Sequence, residues 1–382
     1  MSTIKVLHIT THDEECGIAK YQEQFLRSMK RIHSVHNEVF PYSPNVTKKM
    51  TPEEFGPVLA QFAQQLKGFD LLHIQHEFSF YDHSELAQFV GEAKKQGKKV
   101  IITVHTSLHA GIPRPKLKHI ATHGPRHVMA VQKLRNKQIN THLKPIKAAD
   151  LVLVHNSTTK DSLTSFGVKK SRIITIVMPV PKLDFSLKTN SITEYLGRGK
   201  GDVILCTVGF LSENKGMRDA VLAINELPEH YKLAMIGGAH PSGANDSFCG
   251  EMKDLVHELG LDNRVYITGY IKEDEILNAM IRECDVCIYP FHKPYYDGVS
   301  SASLNNSIAN YKPTVAYPTK PILEMNARMP VVVTCKDSDY HELAETVLHL
   351  NLEKQKNASE KYAKVFAYDK EAEKLVAIYD DL

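Results

Sequence analysis

The chain has 382 residues with 42% hydrophobic and 24% charged side chains and a net charge of +3, which excludes a disordered, collagen-like or coiled-coil protein and leaves room for two domains with cores of their own. It holds no apolar run long enough for a membrane-spanning helix. The apolar stretch after Met1 stops at Thr10, too soon for a signal-peptide core, so a cytoplasmic location is expected.

Strand-length apolar runs alternate with amphipathic helical stretches almost throughout, the pattern of a doubly wound parallel sheet. In the first half, strands are expected at residues 4–10, 38–42, 70–76, 99–105, 151–155 and 172–178, with helices at 17–31, 51–67, 83–96 and 157–166. Ser157 stands where a helix cap is needed. Residues 181–201 lose the alternation and gather Pro, Ser, Asn, Gly and Lys. The expected organisation is a Rossmann-like domain over 1–183, a linker over 184–201, a second Rossmann-like domain over 202–356, and C-terminal helices over 357–382 packing back across both. In the second domain strands are expected at 202–208, 232–236, 264–268, 285–290, 314–317 and 331–335, and helices at 215–227, 252–259, 273–282 and 301–310. Two such units imply a cleft at the carboxyl ends of their strands.

Candidate chemistry lies at those strand ends. Gly17 follows the first strand and can open a helix whose free N–H groups attract an anion. The third strand ends in His76-Glu77 and the fourth in His105, after the apolar run Val100 to Val104. In the second half, Lys215-Gly216 at a helix start suits diphosphate binding by charge and helix dipole together. Gly237-Gly238, Gly269-Tyr270 and the segment Asp297-Gly-Val299-Ser300-Ser301-Ala-Ser-Leu-Asn305 follow other strands. The six cysteines are thinly spread and expected to be reduced, and Cys284-x-x-Cys287 lacks the second ligand pair that structural zinc needs. Asp337-Ser-Asp339 precedes a helical stretch and is expected to be a helix cap.

These motifs, in this order and over nearly the whole chain, resemble the retaining GT-B glycosyltransferases, and specifically glycosyltransferase family 4. The resemblance implies a nucleotide-sugar donor, UDP- or GDP-linked, bound by the C-terminal domain, an acceptor bound by the N-terminal domain, and no metal or cofactor. It implies that His105 contacts the donor sugar, with Asp297 and Glu77 as further catalytic candidates. Gly17, Lys215, Gly216, Val299, Ser300, Ser301, Asn305, Gly238 and Tyr270 would bind the donor, and His76 the acceptor. Two departures stand out. The family's Glu-x7-Glu motif falls on Asp297 and Asn305, and an Arg common in the family is replaced by Phe210, leaving Lys215 as the one cation there.

Between residues 93 and 149 there are thirteen Lys or Arg and no Asp or Glu. A like-charge block inside a folded domain marks a surface for an anion, so Arg114, Lys116, Lys118 and Arg126 are assigned to an anionic acceptor. Candidates are a phospholipid or lipid-linked glycan, with the protein peripheral at the inner face of a membrane, or duplex nucleic acid bearing a hydroxylated base. The absence of Phe, Tyr and Trp from the block argues against both a single-strand stacking platform and the aromatic wedge of an interfacial helix. An expectation of another class is a non-catalytic nucleotide-sugar or polyanion-binding protein on the same scaffold.

Overall fold

The computed structural model describes residues 3–12, 16–81, 84–107, 118–239 and 246–382, with the side chains of 118–123 and 138 outside the description. The chain divides into two compact units: the first holds Met1–Val177, Gly298–Ser300 and Tyr368–Leu382, the second Met178–Asp297 and Ser301–Ala367.

In the first unit, β1 (Ile4–Thr10), β2 (Val35–Pro41), β3 (Leu71–His76), β4 (Lys99–Val104), β5 (Leu151–Val154) and β6 (Ile173–Thr175) form one sheet in the order β2-β1-β3-β4-β5-β6. Every pairing is parallel. Because successive side chains point to opposite faces, Leu7, Ile9, Val100, Ile102, Val152 and Val154 pack on one side. Val6, Leu71, Ile101, Leu151 and Leu153 pack on the other, under the helices Gly17–Met29 and Tyr368–Asp380. Both faces are buried, which is why the strands read as continuous apolar runs.

In the second unit, β7 (Val203–Val208), β8 (Tyr231–Ile236), β9 (Val265–Ile267), β10 (Val286–Tyr289), β11 (Thr314–Ala316) and β12 (Val333–Thr334) run in the order β12-β11-β10-β7-β8-β9, again all parallel. The strand order reverses between β7 and β10 here and between β1 and β3 in the first unit. Such switch points are where open α/β sheets receive ligands.

Several expectations need correction. Asn156, not Ser157, caps its helix: the Asn156 side chain accepts from Thr159 N and Ser157 is the first helical residue. The helix expected to begin at Lys215 begins at Met217, because Gly216 adopts a left-handed φ of 66° and Lys215 closes a short 3-10 turn. The segment 184–201 is not structureless. It contains a helix, Ser191–Tyr195, fastened by Glu283, whose carboxylate accepts from the amides of Ile192 and Thr193 at 3.0 and 2.9 Å. From Lys118 on, where no element is expected from the sequence, the basic block folds as a helix over Lys118–Gln138 with non-helical geometry at Gly124, then a π-helical turn at Ile139–Leu143 and a helix at Lys144–Ala148. A helix at Lys320–Arg328 was also not anticipated, whereas Asp339 caps the helix Tyr340–Leu348 as the sequence suggests. Among the described residues no helix is long and apolar enough to cross a membrane.

Candidate functional site

The carboxyl end of the first sheet carries a polar cluster on the face shared by Val6, Leu71, Ile101 and Leu151. His8, His73, Gln75, Thr103, His105 and His155 occupy alternate positions in otherwise apolar strands, so all continue that one face. His105 is half-buried; its Nε2 meets Gln75 Oε1 at 2.8 Å. Its ring lies edge-on to Tyr21, with centroids 4.9 Å apart, and 5.2 Å from the ring of His155. His73 bonds Tyr379 OH through Nδ1 at 2.7 Å and Thr103 Oγ1 through Nε2 at 2.8 Å, which ties the last helix to the sheet. Burial holds His105 and His73 well below the ordinary histidine value and brings His8 and His155 down to about 4, so these rings are neutral at pH 7.

His76 corrects an expectation. It was assigned to the acceptor, but it points to the opposite face, is fully buried, stacks on Tyr81, and meets His142 Nδ1 through Nε2 at 3.1 Å. Its ring is sealed in the core by the π-helical turn that carries His142. Glu77 accepts from Thr106 Oγ1 at 2.8 and 3.0 Å and from the Phe78 amide at 2.9 Å. Desolvation raises its pKa above the usual carboxylate value against these hydrogen bonds, which pull it down. Gly17 opens its helix as expected; Cys16 is the cap, with Sγ accepting from Ala19 N.

Also within the first unit, Val299 bridges Thr106 and Ser300 Oγ accepts from Asn156 Nδ2 at 3.3 Å. Gly298 must be glycine, because a Cβ there would stand 2.5 Å from Ser107 Cβ. Of the acceptor candidates, Arg114 and Lys116 lie outside the described residues, Lys118 starts the long helix, and Arg126 is exposed on it. That helix also exposes Lys133 and Lys137 beside Met129 and Leu134, which are 70% and 47% exposed.

In the second unit the strand ends form a floor of glycine turns. Gly209, Gly237, Gly238 and Gly269 end β7, β8 and β9, and two of them lie too close to backbone for a side chain: a Cβ on Gly237 would meet Gly209 O at 2.1 Å and one on Gly238 would meet Tyr270 N at 2.8 Å. Tyr270 is partly exposed, and its ring stacks on Phe210 with centroids 5.6 Å apart. Lys215 lies over this floor, its Nζ 2.3 Å from where a Gly209 Cβ would be. It is half-buried, makes no side-chain hydrogen bond or ion pair among the described residues, and desolvation brings its pKa from 10.5 to about 8. A buried ammonium without a carboxylate is costly, and an anionic ligand would relieve it. Gly216 lets the chain turn here; a Cβ would stand 1.9 Å from Pro290 O.

Beside it, Ser301 caps the helix Ala302–Ala309, accepting from Leu304 N, and Tyr289 OH fixes that helix through Ser303 O at 2.7 Å and Ser307 Oγ at 2.6 Å. Asn305 is buried and donates through Nδ2 to Met178 O and Pro179 O at 3.0 and 2.9 Å, so only its Oδ1 remains for a ligand. Asp297 Oδ1 accepts from Lys320 N at 2.9 Å, holding the start of a neighbouring helix. Cys206 and Cys287 face each other across β7 and β10 as free thiols, sulfurs 3.3 Å apart. No cluster of three or more metal-ligating side chains occurs among the described residues.

Two parallel-sheet units, the second carrying Lys215 over glycine turns at its strand ends, agree with the fold that the resemblance implies. Two family models match, Glycosyltransferase Family 4 over residues 11–181 and Glycosyl transferases group 1 over residues 189–365. The chain belongs to the GT-B glycosyltransferases of the family 4 type. Its fold is shared with HepE of Anabaena, solved in complex with UDP-glucose (15% identity, 99% of this chain and 100% of that one, TM-score 0.68). It is shared also with sucrose-phosphate synthase of Thermosynechococcus elongatus (16% identity, 99% and 98%, TM-score 0.69). WaaG, a glycosyltransferase involved in lipopolysaccharide biosynthesis, is a further neighbour (12% identity, 98% and 99%, TM-score 0.63). No curated protein matches the sequence.

The residues that the sequence missed are His8, Gln22, His73, Gln75, Thr103 and His155. Their signal was a polar residue at every second position of buried strands, or one in the apolar stripe of the first helix.

Proposed function

We propose that the protein transfers a sugar, with retention of anomeric configuration and without a metal ion, from a UDP- or GDP-linked donor to a hydroxyl of an anionic glycan, lipid-linked glycan or phospholipid. The observation that carries this reading is the unpartnered, desolvated Lys215 above a floor of glycine turns at the β7/β10 switch point, together with the family matches. A UDP donor is favoured because HepE was solved with UDP-glucose.

In this chemistry the bond from the anomeric carbon to the diphosphate oxygen breaks while the acceptor oxygen bonds to the same face, and the acceptor proton passes to the leaving phosphate. On this reading Lys215 and the N-terminal amides of the helix Ala302–Ala309 stabilise the charge that develops on the diphosphate. His105, neutral at pH 7, makes a hydrogen bond with a sugar hydroxyl on this reading. The acid-free helix Lys118–Gln138, whose described side chains are mostly exposed, supports an anionic acceptor, and its exposed Met129 and Leu134 favour a lipid surface over duplex nucleic acid.

The test is a turnover panel of UDP-, GDP-, ADP- and TDP-sugars, each with anionic vesicles or duplex DNA. Sugar release from one donor, stimulated by vesicles and lost in His105→Ala and Lys215→Ala, is the expected result. Donor binding with no turnover under any condition would favour a non-catalytic binding protein.

A further inference from the structure

Behind His105 runs a continuous line of hydrogen bonds that neither the family match nor the proposed chemistry requires. His105 Nε2 meets Gln75 Oε1 at 2.8 Å, Gln75 Nε2 donates to Gln22 Oε1 at 2.7 Å, Gln22 Nε2 meets His8 Nδ1 at 2.9 Å, and His8 Nε2 meets Asn37 Oδ1 at 2.8 Å. The line crosses β4, β3, the helix Gly17–Met29, β1 and the edge strand β2. Gln22, Gln75 and His8 are all buried, at 3%, 1% and 0% exposure, so water cannot substitute for a missing partner.

Its polarity is all-or-none. In the observed orientation Asn37 presents Oδ1, an acceptor, to His8, which places the His8 hydrogen on Nε2 and leaves its Nδ1 to accept from the Gln22 amide. Gln22 Oε1 then takes the Gln75 amide hydrogen, and Gln75 Oε1 takes a hydrogen from His105 Nε2. Turning any one amide would set two acceptors or two donors against each other unless every other member turned as well.

The structure assigns Asn37, His8, Gln22 and Gln75 as positioning residues that hold His105 in its Nε2–H tautomer, leaving Nδ1 as an acceptor for a substrate hydroxyl. Burial keeps both His8 and His105 neutral, so neither ring escapes the constraint by taking a second proton. His105 makes no other side-chain hydrogen bond among the described residues, and it is the one member of the line with substantial access besides Asn37 at the far end. A donor hydroxyl would thus give its hydrogen to His105 rather than receive one. This selects the free hydroxyls of a sugar and disfavours an acceptor-only group such as a carbonyl at that position.

The test uses the full chain with 15N-labelled histidine and long-range imidazole correlation spectra, which distinguish the two neutral tautomers without any substrate. His8→Gln and His105→Gln assign the signals. Both rings are expected as Nε2–H in the wild type; His105 as Nδ1–H, or as an averaged mixture, overturns the assignment. In Gln22→Glu the carboxylate still accepts from Gln75 but now requires a hydrogen from His8 Nδ1, so His8 is expected to switch to Nδ1–H, with half-buried Asn37 turning its amide to donate to Nε2, while His105 stays as it was. An unchanged His8 tautomer overturns the relay. Should that buried carboxylate prevent folding, Gln22→Met, uncharged and of similar size, is expected to cost His105 its single tautomer, and a retained single tautomer counts against the proposal.

A kinetic arm rests on the glycosyltransferase reading. Gln22→Met, which touches no substrate, should lower kcat about tenfold with KM within about twofold. No turnover in the wild type defeats that reading and leaves the spectra to decide the relay, whereas full wild-type kcat in Gln22→Met defeats the relay alone.

Discussion

Lys215→Met tests whether the second unit is built around an anion. Holding an ammonium at a site that brings its pKa from 10.5 to about 8 costs about 3 kcal/mol, and partial exposure of the side chain reduces that to about 2. A diphosphate seated against Nζ offsets this penalty and adds a charge-assisted hydrogen bond of similar size. Removing the charge should therefore weaken UDP by about 2 kcal/mol, roughly thirtyfold in Kd. Isothermal titration calorimetry at pH 7 reads this directly, with Lys215→Arg as the control that keeps the charge. The sign with pH is fixed too. Because Lys215 must be protonated to attract the ligand, wild-type affinity should hold below pH 8 and fall as pH rises through about 8, while Lys215→Met should be flat. The argument fails if Lys215→Met binds UDP within about threefold of wild type, or if wild-type affinity is constant from pH 7 to 9.5.

Gly238→Ala, whose Cβ would stand 2.8 Å from Tyr270 N and 2.9 Å from the Gly269 carbonyl carbon, should cost about 1–3 kcal/mol and lower Tm, whereas Gly17→Ala meets nothing within 4 Å and should be neutral or raise it. Paired thermal melts in which Gly17→Ala is the more damaging would refute that ordering. His292 meets Asp219 Oδ2 at 3.2 Å, and the carboxylate raises the imidazole above 6.5. The stabilisation is complete below pH 6.5 and fades as pH rises through the raised value, so the Tm gap between wild type and His292→Gln should close between pH 6 and 8.5; a constant gap would contradict it. On the long basic helix, Arg126→Gln with Lys133→Gln should weaken binding to anionic vesicles by about 2 kcal/mol at low salt and flatten its salt dependence, measured by co-sedimentation. Equal binding by the double variant would place the membrane-facing surface elsewhere.

The alternation of apolar strands and amphipathic helices made both sheets legible, because strands buried on both faces leave uninterrupted runs such as Val100 to Val104. The glycines were legible for the same reason that they are required: a side chain at Gly216 or Gly238 meets backbone. The helix Lys118–Gln138 was not, since most of its described surface faces solvent and no apolar stripe announces it. His76 misled because strand ends look alike on both faces; only the packing of the π-helical turn shows that this one points into the core. His8, Gln22 and Gln75 were missed because their partners are scattered across five elements, and spacing along the chain says nothing about bonds that form across a sheet.

The first unit is discontinuous in the chain: its helix Tyr368–Asp380 follows all of the second unit's residues, yet it covers Val6, Leu71 and Leu153 and bonds His73 through Tyr379. On a ribosome adding about 5–20 residues per second, one face of the first sheet waits roughly 10–40 seconds for its cover. The second unit, although later in the message, can therefore finish first. Ribosome stalling, slow codons or chaperone occupancy between the two events would act on the first unit alone, and deletion of the final helix would leave a chain that is half native and half sticky rather than wholly unfolded.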